Sequence, residues 1–305
     1  QWIRALACGA IGRVFESRRG RQGRAEQSAL FVLEMTMNQR PNILLTNDDG
    51  IRSPGLWAAA STLSRLGFVT VAAPRDQSSG MGRSLPNTSD GIIREERVRV
   101  NGQAWTAYAV GGSPAQAVLH AVLEIMPEKP DLVVSGINYG ENVGLGVTVS
   151  GTVGAALEGA SLGYPALAVS LEAHPQYHLT YSEELDFGPA AHFTEYFARL
   201  LLERTFPGVD VLKVEVPSDA TPDTPWELAR LSRQRYYQPI KPERASWDQP
   251  ATVGYCEAGR LDDEPHDTDV YILRRKRRVA VTPLSLDLTA RVDLPELDGR
   301  LRVNG

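Results

Sequence analysis

The feature that most constrains the fold is the alternation of short apolar strands with helical patterns from Asn42 onward. Continuous apolar runs typical of buried parallel strands occur at NILLTN (42–47), FVTVAAP (68–74), PDLVVSGIN (130–138) and PALAVSL (165–171). Each of the three intervals between these runs contains one segment with helical spacing. Strands joined by helices pair in parallel with right-handed crossovers. The pattern therefore predicts a doubly wound α/β sheet, with ligands at the carboxyl ends of its strands.

Local signals refine this prediction. Asn101-Gly102 between two β-rich runs is typical of a two-residue hairpin. Ser53-Pro54 and Ser113-Pro114 each supply a helix N-cap followed by proline at the first helical position. Residues 75–91 form a long polar, Gly-rich loop, and loops of that length are often functional.

Composition narrows the class of partner. The chain has 305 residues and a net charge of −5, with both signs interspersed, so no basic field favours nucleic acid or an anionic membrane. A small diffusible ligand fits better. Cys8 and Cys256 stand far apart without metal-ligand or disulfide spacing, which favours a reducing, cytoplasmic compartment. No apolar run reaches the length needed to span a bilayer.

Residues 1–40 are a basic segment with seven Arg and three Glu. Met35 and Met37 stand just ahead of the first strand. We interpret this segment as a disordered extension or a start-site artefact, and a basic interaction arm is the alternative.

Two adjacent carboxylates, Asp48 and Asp49, follow the first strand directly. In a partly desolvated crevice such a pair needs a raised pKa or a nearby cation. Oxygen ligands favour a hard ion such as Mg²⁺ or Mn²⁺. The alternatives for Asp-Asp-Gly are a helix N-cap and an Asx-turn.

Other polar residues occupy the same predicted sheet edge. Ser79 follows the second strand, and Asn138 ends the strand 130–138; each offers a neutral oxygen ligand, although each could equally be a loop or turn residue. Ser150-Gly151-Thr152 opens a helix, where free backbone N–H groups can bind phosphate or where Ser150 is an ordinary cap. These residues together favour a metal and phosphate site.

Several nucleotide and hydrolase motifs are absent. The sequence contains no GxxxxGK[ST], GxGxxG, HExxH or GxSxG. A P-loop nucleotidase, a dinucleotide-binding protein of the usual type, a zincin and an α/β-hydrolase are therefore excluded.

Five motifs in order, TNDDGIRSPG, APRDQSSGMGRSL, SGINYGENVG, SGTVGAALEG and GYPALAVSL, resemble the SurE family of metal-dependent 5′-nucleotidases. The similarity runs over residues 42–171 and resumes in DTDVYILRRKRRVAVTPLSLDLTA (267–290). Residues 172–266 follow the family only loosely.

The resemblance implies a Rossmann-like catalytic domain at 41–220 and a C-terminal oligomerisation segment at 221–305. The latter would contain an extended hairpin that exchanges between subunits and a return to the core. Homodimers or homotetramers are implied. The implied substrates are nucleoside 5′-monophosphates, often 3′-monophosphates, and in some members polyphosphate; no membrane and no specific nucleic acid partner is implied.

Carried over by motif, the family's metal ligands fall on four residues that would hold one Mg²⁺ or Mn²⁺ per subunit: Asp48, Asp49, Ser79 and Asn138. Phosphate binding falls on Ser150, Gly151 and Thr152, with Asn142 lining the pocket. The implied chemistry is in-line attack of water on phosphorus without a phosphoenzyme, with Asp48, Asp49 and Asn138 as catalytic residues. Which aspartate orients the water is left open.

Two departures qualify the match. Lys213 and Glu215 stand in VLKVEVP where members more often have Asn. The run RRKRR (274–278) reads most simply as the solvated turn of a strand hairpin, and a polyanion site is the alternative. Exopolyphosphatase or broad phosphatase activity, and non-catalytic nucleotide binding, are the rival functions.

Overall fold

The computed structural model describes residues 40–178, 185–257 and 262–302. All but the last residue of segment 1–40 lies outside these ranges, so its interpretation stays a prediction. The described strands are β1 (Asn42–Thr46), β2 (Phe68–Pro74), β3 (Ile93–Val100), β4 (Gln103–Val110), β5 (Leu132–Tyr139), β6 (Ala166–Leu171), β7 (Val211–Val216), β8 (Trp226–Leu228), β9 (Tyr237–Ile240), β10 (Gly254–Glu257) and β11 (Val279–Leu284).

The described α-helices alternate with the strands through the first two thirds of the chain. They are α1 (Pro54–Leu63), α2 (Pro114–His120), α3 (Gly151–Ser161), α4 (Gly188–Glu203), α5 (Asp269–Arg274) and α6 (Leu294–Leu301). A π-helical turn, Ala121–Ile125, continues α2, and 3₁₀ turns occur at Gly144–Thr148 and Pro175–Tyr177. Among the helices of the described ranges, none combines the length and the apolar composition that a membrane span requires.

Nine of the described strands form one sheet in the order β3-β4-β2-β1-β5-β6-β7-β11-β8. The pairings are parallel except for β3 with β4 and β7 with β11. Helices α1 and α4 pack on one face of the sheet, and α2 and α3 pack on the other. The predicted doubly wound, mostly parallel α/β sheet is confirmed.

The alternation of side chains along β1 shows how both faces are filled. Ile43 and Leu45 belong to the core under α1 and α4, whereas Leu44 belongs to the core under α2 and α3. All three are fully buried. A central parallel strand therefore reads as a continuous apolar run because helices cover both of its faces.

The predicted hairpin and helix starts are also present. Val100 pairs with Gln103 across Asn101-Gly102, and both turn residues have positive φ, 48° and 80°. Ser113 forms a capping box with Gln116 at the start of α2. Ser53 precedes α1 as predicted, but its side chain makes no capping hydrogen bond.

The C-terminal part returns to the main sheet through β11, which lies between β7 and β8. The prediction that RRKRR (274–278) forms the turn of a strand hairpin is wrong, because α5 leads into this run and includes its first residue, Arg274. Thr268 caps this helix by accepting from the N–H of Tyr271 at 3.4 Å. A separate antiparallel pair, β9 with β10, forms the second sheet of the described chain.

Candidate metal and phosphate site

The candidate site lies where three neighbouring strands end. Asp48 and Asp49, hereafter the aspartate pair, follow β1, while Asn138 lies near the carboxyl end of β5. Ser79 lies in the loop after β2. Since β2, β1 and β5 are adjacent and parallel, these residues share one edge of the sheet, as the sequence predicts.

Asp48 is held against the start of α3. Its Oδ1 accepts from the Thr152 hydroxyl at 2.5 Å, and its backbone carbonyl accepts from the N–H of Ser78 at 2.7 Å. A Cβ atom on Gly151 would lie 2.6 Å from the Cβ of Asp48, so only glycine permits this approach. The structure thus joins the aspartate pair, the loop that carries Ser79 and the predicted phosphate-binding helix.

The second carboxylate is buried with the first. Asp49 Oδ2 accepts from the backbone N–H of Tyr139 at 3.2 Å. Burial raises the pKa of Asp48, and a hydrogen bond from Thr152 partly opposes this. Burial, followed by the charge on Asp48, raises the pKa of Asp49 well above its ordinary value. A nearby cation would therefore stabilise the doubly ionised pair.

The two predicted neutral ligands differ in exposure. Asn138 is buried, and its side-chain NH₂ donates to the carbonyls of Gly140 at 2.6 Å and Tyr139 at 3.2 Å. Its Oδ1 is the atom suited to a cation. Ser79 is exposed, next to the buried Ser78 that anchors the loop to Asp48.

The start of α3 combines a cap with hydrogen-bond donors. Ser150 Oγ accepts from the N–H of Val153 at 3.1 Å, which is the ordinary capping role. Its hydroxyl hydrogen is left to donate elsewhere, because a hydroxyl can accept and donate at once. The Thr152 hydroxyl already donates to Asp48. The cap and the anion-site interpretations of this helix start are thus compatible.

Asn142 lies half-buried in the loop between β5 and α3. Its Nδ2 donates to Ser170 Oγ at 3.0 Å. Its backbone N–H donates to Glu215 at 2.9 Å, and its carbonyl accepts from Lys213 at 2.9 Å. Lys213, Glu215 and Asp269 form a fully buried ionic group, hereafter the Lys213 cluster.

The basic run 274–278 makes ion pairs rather than an open cationic surface. Glu172, at the end of β6, accepts from Arg274 and from Arg277, each at 2.7 Å. The other three cations of the run pair with carboxylates: Arg275 with Asp262, and Lys276 and Arg278 with Glu227. This compensation disfavours the polyanion alternative.

A cavity of about 710 Å³ lies beside these pairs, at the carboxyl ends of β6 and β7. Arg274 also stands 3.7 Å from the buried Glu141 of the β5–α3 loop, which carries Asn142. The lining residues are Glu172, Ala173, His174, Pro175, Ser218, Tyr255, Cys256, Glu257, Arg274 and Arg277.

The donor chemistry of the site fits a hard divalent cation. Two carboxylates, a hydroxyl and an amide oxygen are the ligand types that Mg²⁺ and Mn²⁺ prefer. Within the described ranges, no group of three or more His, Cys, Asp or Glu side chains could hold a metal ion. A cation at this edge would therefore depend on the aspartate pair plus neutral oxygens.

Sequence reasoning did not find Asp269, which belongs to the Lys213 cluster. Its Oδ2 accepts from the N–H of Gly144 at 2.9 Å and from Lys213 at 3.1 Å. The one available signal was its place in the matching segment 267–290. The contact between Thr152 and Asp48 was not predicted either.

Comparison with known proteins identifies the family. The family model of survival protein SurE matches residues 43–238. The 5′-nucleotidase SurE of Thermococcus gammatolerans is 47% identical over 258 residues, covering 84% of this chain and 94% of that protein. The 5′-nucleotidase SurE of Methanosarcina mazei is 40% identical over 270 residues, which cover 85% of this chain and 97% of that protein.

The fold comparison agrees with the sequence comparison. The crystal structure of the Sure protein from Aquifex aeolicus superposes with a TM-score of 0.64 and 31% sequence identity. The superposition covers 82% of this chain and 95% of the Aquifex aeolicus chain. The predicted family and the Rossmann-like fold are thereby confirmed, and the chain belongs to the SurE family.

Proposed function

We propose that this protein is a divalent-metal-dependent phosphomonoesterase that hydrolyses nucleoside 5′-monophosphates, and also 3′-monophosphates, to nucleoside and phosphate. The observation that carries the proposal is the aspartate pair held against the start of α3 through Thr152 and Asp48. The substrate class is supported by relatives that are named 5′-nucleotidase and that align with this chain over most of their length.

Four residues would hold one Mg²⁺ or Mn²⁺ per chain: Asp48, Asp49, Ser79 and Asn138. When bound, this ion would supply Lewis-acid stabilisation of charge on the phosphate oxygens. Because Asn138 already uses its NH₂ group on two backbone carbonyls, its Oδ1 is assigned to the cation.

The chain's own donors would bind and orient the phosphate group. Ser150 retains a hydroxyl hydrogen, and Gly151 and Thr152 begin α3, whose dipole favours an anion. Such donors stabilise the charge that builds up on the equatorial oxygens during in-line displacement by water. We assign the orientation of that water to one of the aspartate pair.

We further propose a catalytic domain at residues 41–220 and a C-terminal oligomerisation segment at 221–305, acting in the cytoplasm as a homodimer or homotetramer. Large apolar side chains exposed on the C-terminal part support the assembly. Trp247, between β9 and β10, is 95% exposed, and Leu301 on α6 is 76% exposed. Exchange of the β9–β10 hairpin between subunits would cover the first of these.

The proposal is tested by phosphate release from 5′- and 3′-monophosphates, a polyphosphate and an aryl phosphate, with Mg²⁺, Mn²⁺ or EDTA. We expect metal-dependent release, fastest from a nucleoside monophosphate, and its loss in Asp49→Ala. Preference for polyphosphate or for the aryl phosphate would favour the rival phosphatases. Nucleotide binding without release by the folded, metal-loaded protein would contradict the enzymatic function.

A further inference from the structure

The Lys213 cluster contains an unusual pair for a central strand. Lys213 and Glu215, on β7, have side chains with no exposed surface. The ammonium donates to the carbonyl of Asn142 at 2.9 Å, to Asp269 at 3.1 Å and to Glu215 at 3.2 Å. All three of its N–H groups are thereby used, so the buried cation is fully hydrogen-bonded.

The same pair fixes the backbone of Asn142 on both sides. Glu215 Oε2 accepts from the Asn142 N–H at 2.9 Å, and Lys213 donates to the Asn142 carbonyl. The side chain of Asn142 reaches the pair indirectly, because Ser170 Oγ accepts from its Nδ2 at 3.0 Å and lies 3.4 Å from Glu215 Oε1. Its Oδ1 is then the group available to a ligand.

Charge makes this arrangement costly, because removing ions from water is unfavourable unless they are paired and hydrogen-bonded. Burial alone would lower the pKa of Lys213, but the carboxylates of Glu215 and Asp269 raise it. Burial raises the pKa of Glu215 despite the ammonium beside it. If Lys213 and Glu215 only filled space in the core, apolar residues of similar size could do so without the free-energy cost of burying charges.

We propose that Lys213 and Glu215 are positioning residues that fix the Asn142 loop and thereby set the affinity of the site for a nucleoside monophosphate. The inference rests on the proposed function, because it assigns Asn142 to the substrate pocket. Neither residue needs to touch the substrate. The role is carried by the two charged residues that this sequence places on β7.

Glu215 offers a test that keeps the buried charges balanced. The cluster has two carboxylates and one ammonium, so removing Glu215 leaves a one-to-one pair of Lys213 with Asp269. Glu215→Leu removes the acceptor for the Asn142 N–H. Glu215→Gln has nearly the same volume and keeps an acceptor, which makes it the matched control.

The first readout is amide hydrogen exchange, which requires no activity. We expect the Asn142 amide to exchange at least roughly tenfold faster in Glu215→Leu than in wild type, and Glu215→Gln to retain most of the protection. The Gly144 amide, which donates to Asp269, serves as the internal control and should stay protected. Unchanged exchange at Asn142 in the Leu variant would overturn the proposal.

The second readout is a kinetic cycle with Asn142→Ala. We expect Glu215→Leu to lower kcat/KM roughly tenfold, mainly by raising KM, and Asn142→Ala to add little further loss in that background. A full additional loss from Asn142→Ala would contradict positioning through Asn142. If wild type releases no phosphate, the proposed function fails, and amide exchange still decides whether Glu215 fixes the loop.

Discussion

The aspartate pair and the Lys213 cluster are two buried acidic groups that are stabilised in different ways. In the Lys213 cluster an ammonium of the chain itself lies within 3.2 Å of both carboxylates. At the aspartate pair, the described groups that favour the ionised form include the Thr152 hydroxyl and the Tyr139 N–H, which are neutral donors. Built-in compensation suits a permanent positioning role, whereas neutral donors around two carboxylates suit an exchangeable cation.

The largest expected effect is the loss of activity in Asp49→Asn. Because this change removes half of the negative charge of the aspartate pair, we expect kcat/KM with a nucleoside monophosphate to fall by at least roughly 10³-fold. The melting temperature should stay the same or rise, since a like-charge repulsion is relieved. The measurement is steady-state phosphate release beside thermal unfolding.

The control for this variant is Asp76→Asn, which changes an exposed aspartate in the loop that carries Ser79. It should retain wild-type activity. Asp49→Asn activity within tenfold of wild type would refute the assignment of the aspartate pair.

The next prediction concerns how much the Lys213 cluster contributes to the free energy of unfolding. Lys213→Met leaves Glu215 and Asp269 as two buried carboxylates without their shared ammonium. Breaking a buried ionic group in this way should lower the free energy of unfolding by about 3–5 kcal/mol, measured by denaturant unfolding. Lys241→Met, at an exposed position, should change it by less than about 0.5 kcal/mol. A loss below about 1 kcal/mol in Lys213→Met would contradict the view that the Lys213 ammonium stabilises the two carboxylates of its cluster.

The smallest effect extends the comparison to Glu172, a carboxylate compensated by two arginines. Burial would raise the pKa of Glu172, but hydrogen bonds from Arg277 and Ser218 lower it from 4.5 to about 2. Its contribution is therefore present above about pH 4.5 and is lost as the pH falls through about 2. After a discount for solvent screening, we expect Glu172→Gln to cost about 2 kcal/mol at pH 7.

The pH dependence distinguishes this electrostatic cost from lost packing. The difference in unfolding free energy between wild type and Glu172→Gln should shrink by roughly half at pH 3. Glu95→Gln, at an exposed position, provides the control. A difference that is independent of pH would mean that the arginines do not stabilise the ionised form of Glu172.

The sequence was sufficient for features set by neighbouring residues. Asn101-Gly102 specifies a hairpin because both residues tolerate positive φ, and continuous apolar runs specify strands covered on both faces. The location of the aspartate pair followed from the rule that parallel strands end at one edge.

Features that depend on distant partners could not be predicted in the same way. Asp269 acquires its role from Lys213 and Gly144, which are 56 and 125 residues away in sequence. The apolar run in DVYIL is too short for periodicity to distinguish a strand from a helix. Thr268 directly before this run caps the helix, and Thr is a residue type that favours a helix N-terminus.

Calorimetric titration of Mn²⁺ into metal-free wild type, Asp48→Asn and Glu215→Gln tests most directly whether the aspartate pair holds an exchangeable cation. We expect wild type and Glu215→Gln to bind one ion per chain, and Asp48→Asn to bind it at least roughly tenfold more weakly. Equal Mn²⁺ affinity in wild type and Asp48→Asn would contradict a metal site at the carboxyl end of β1.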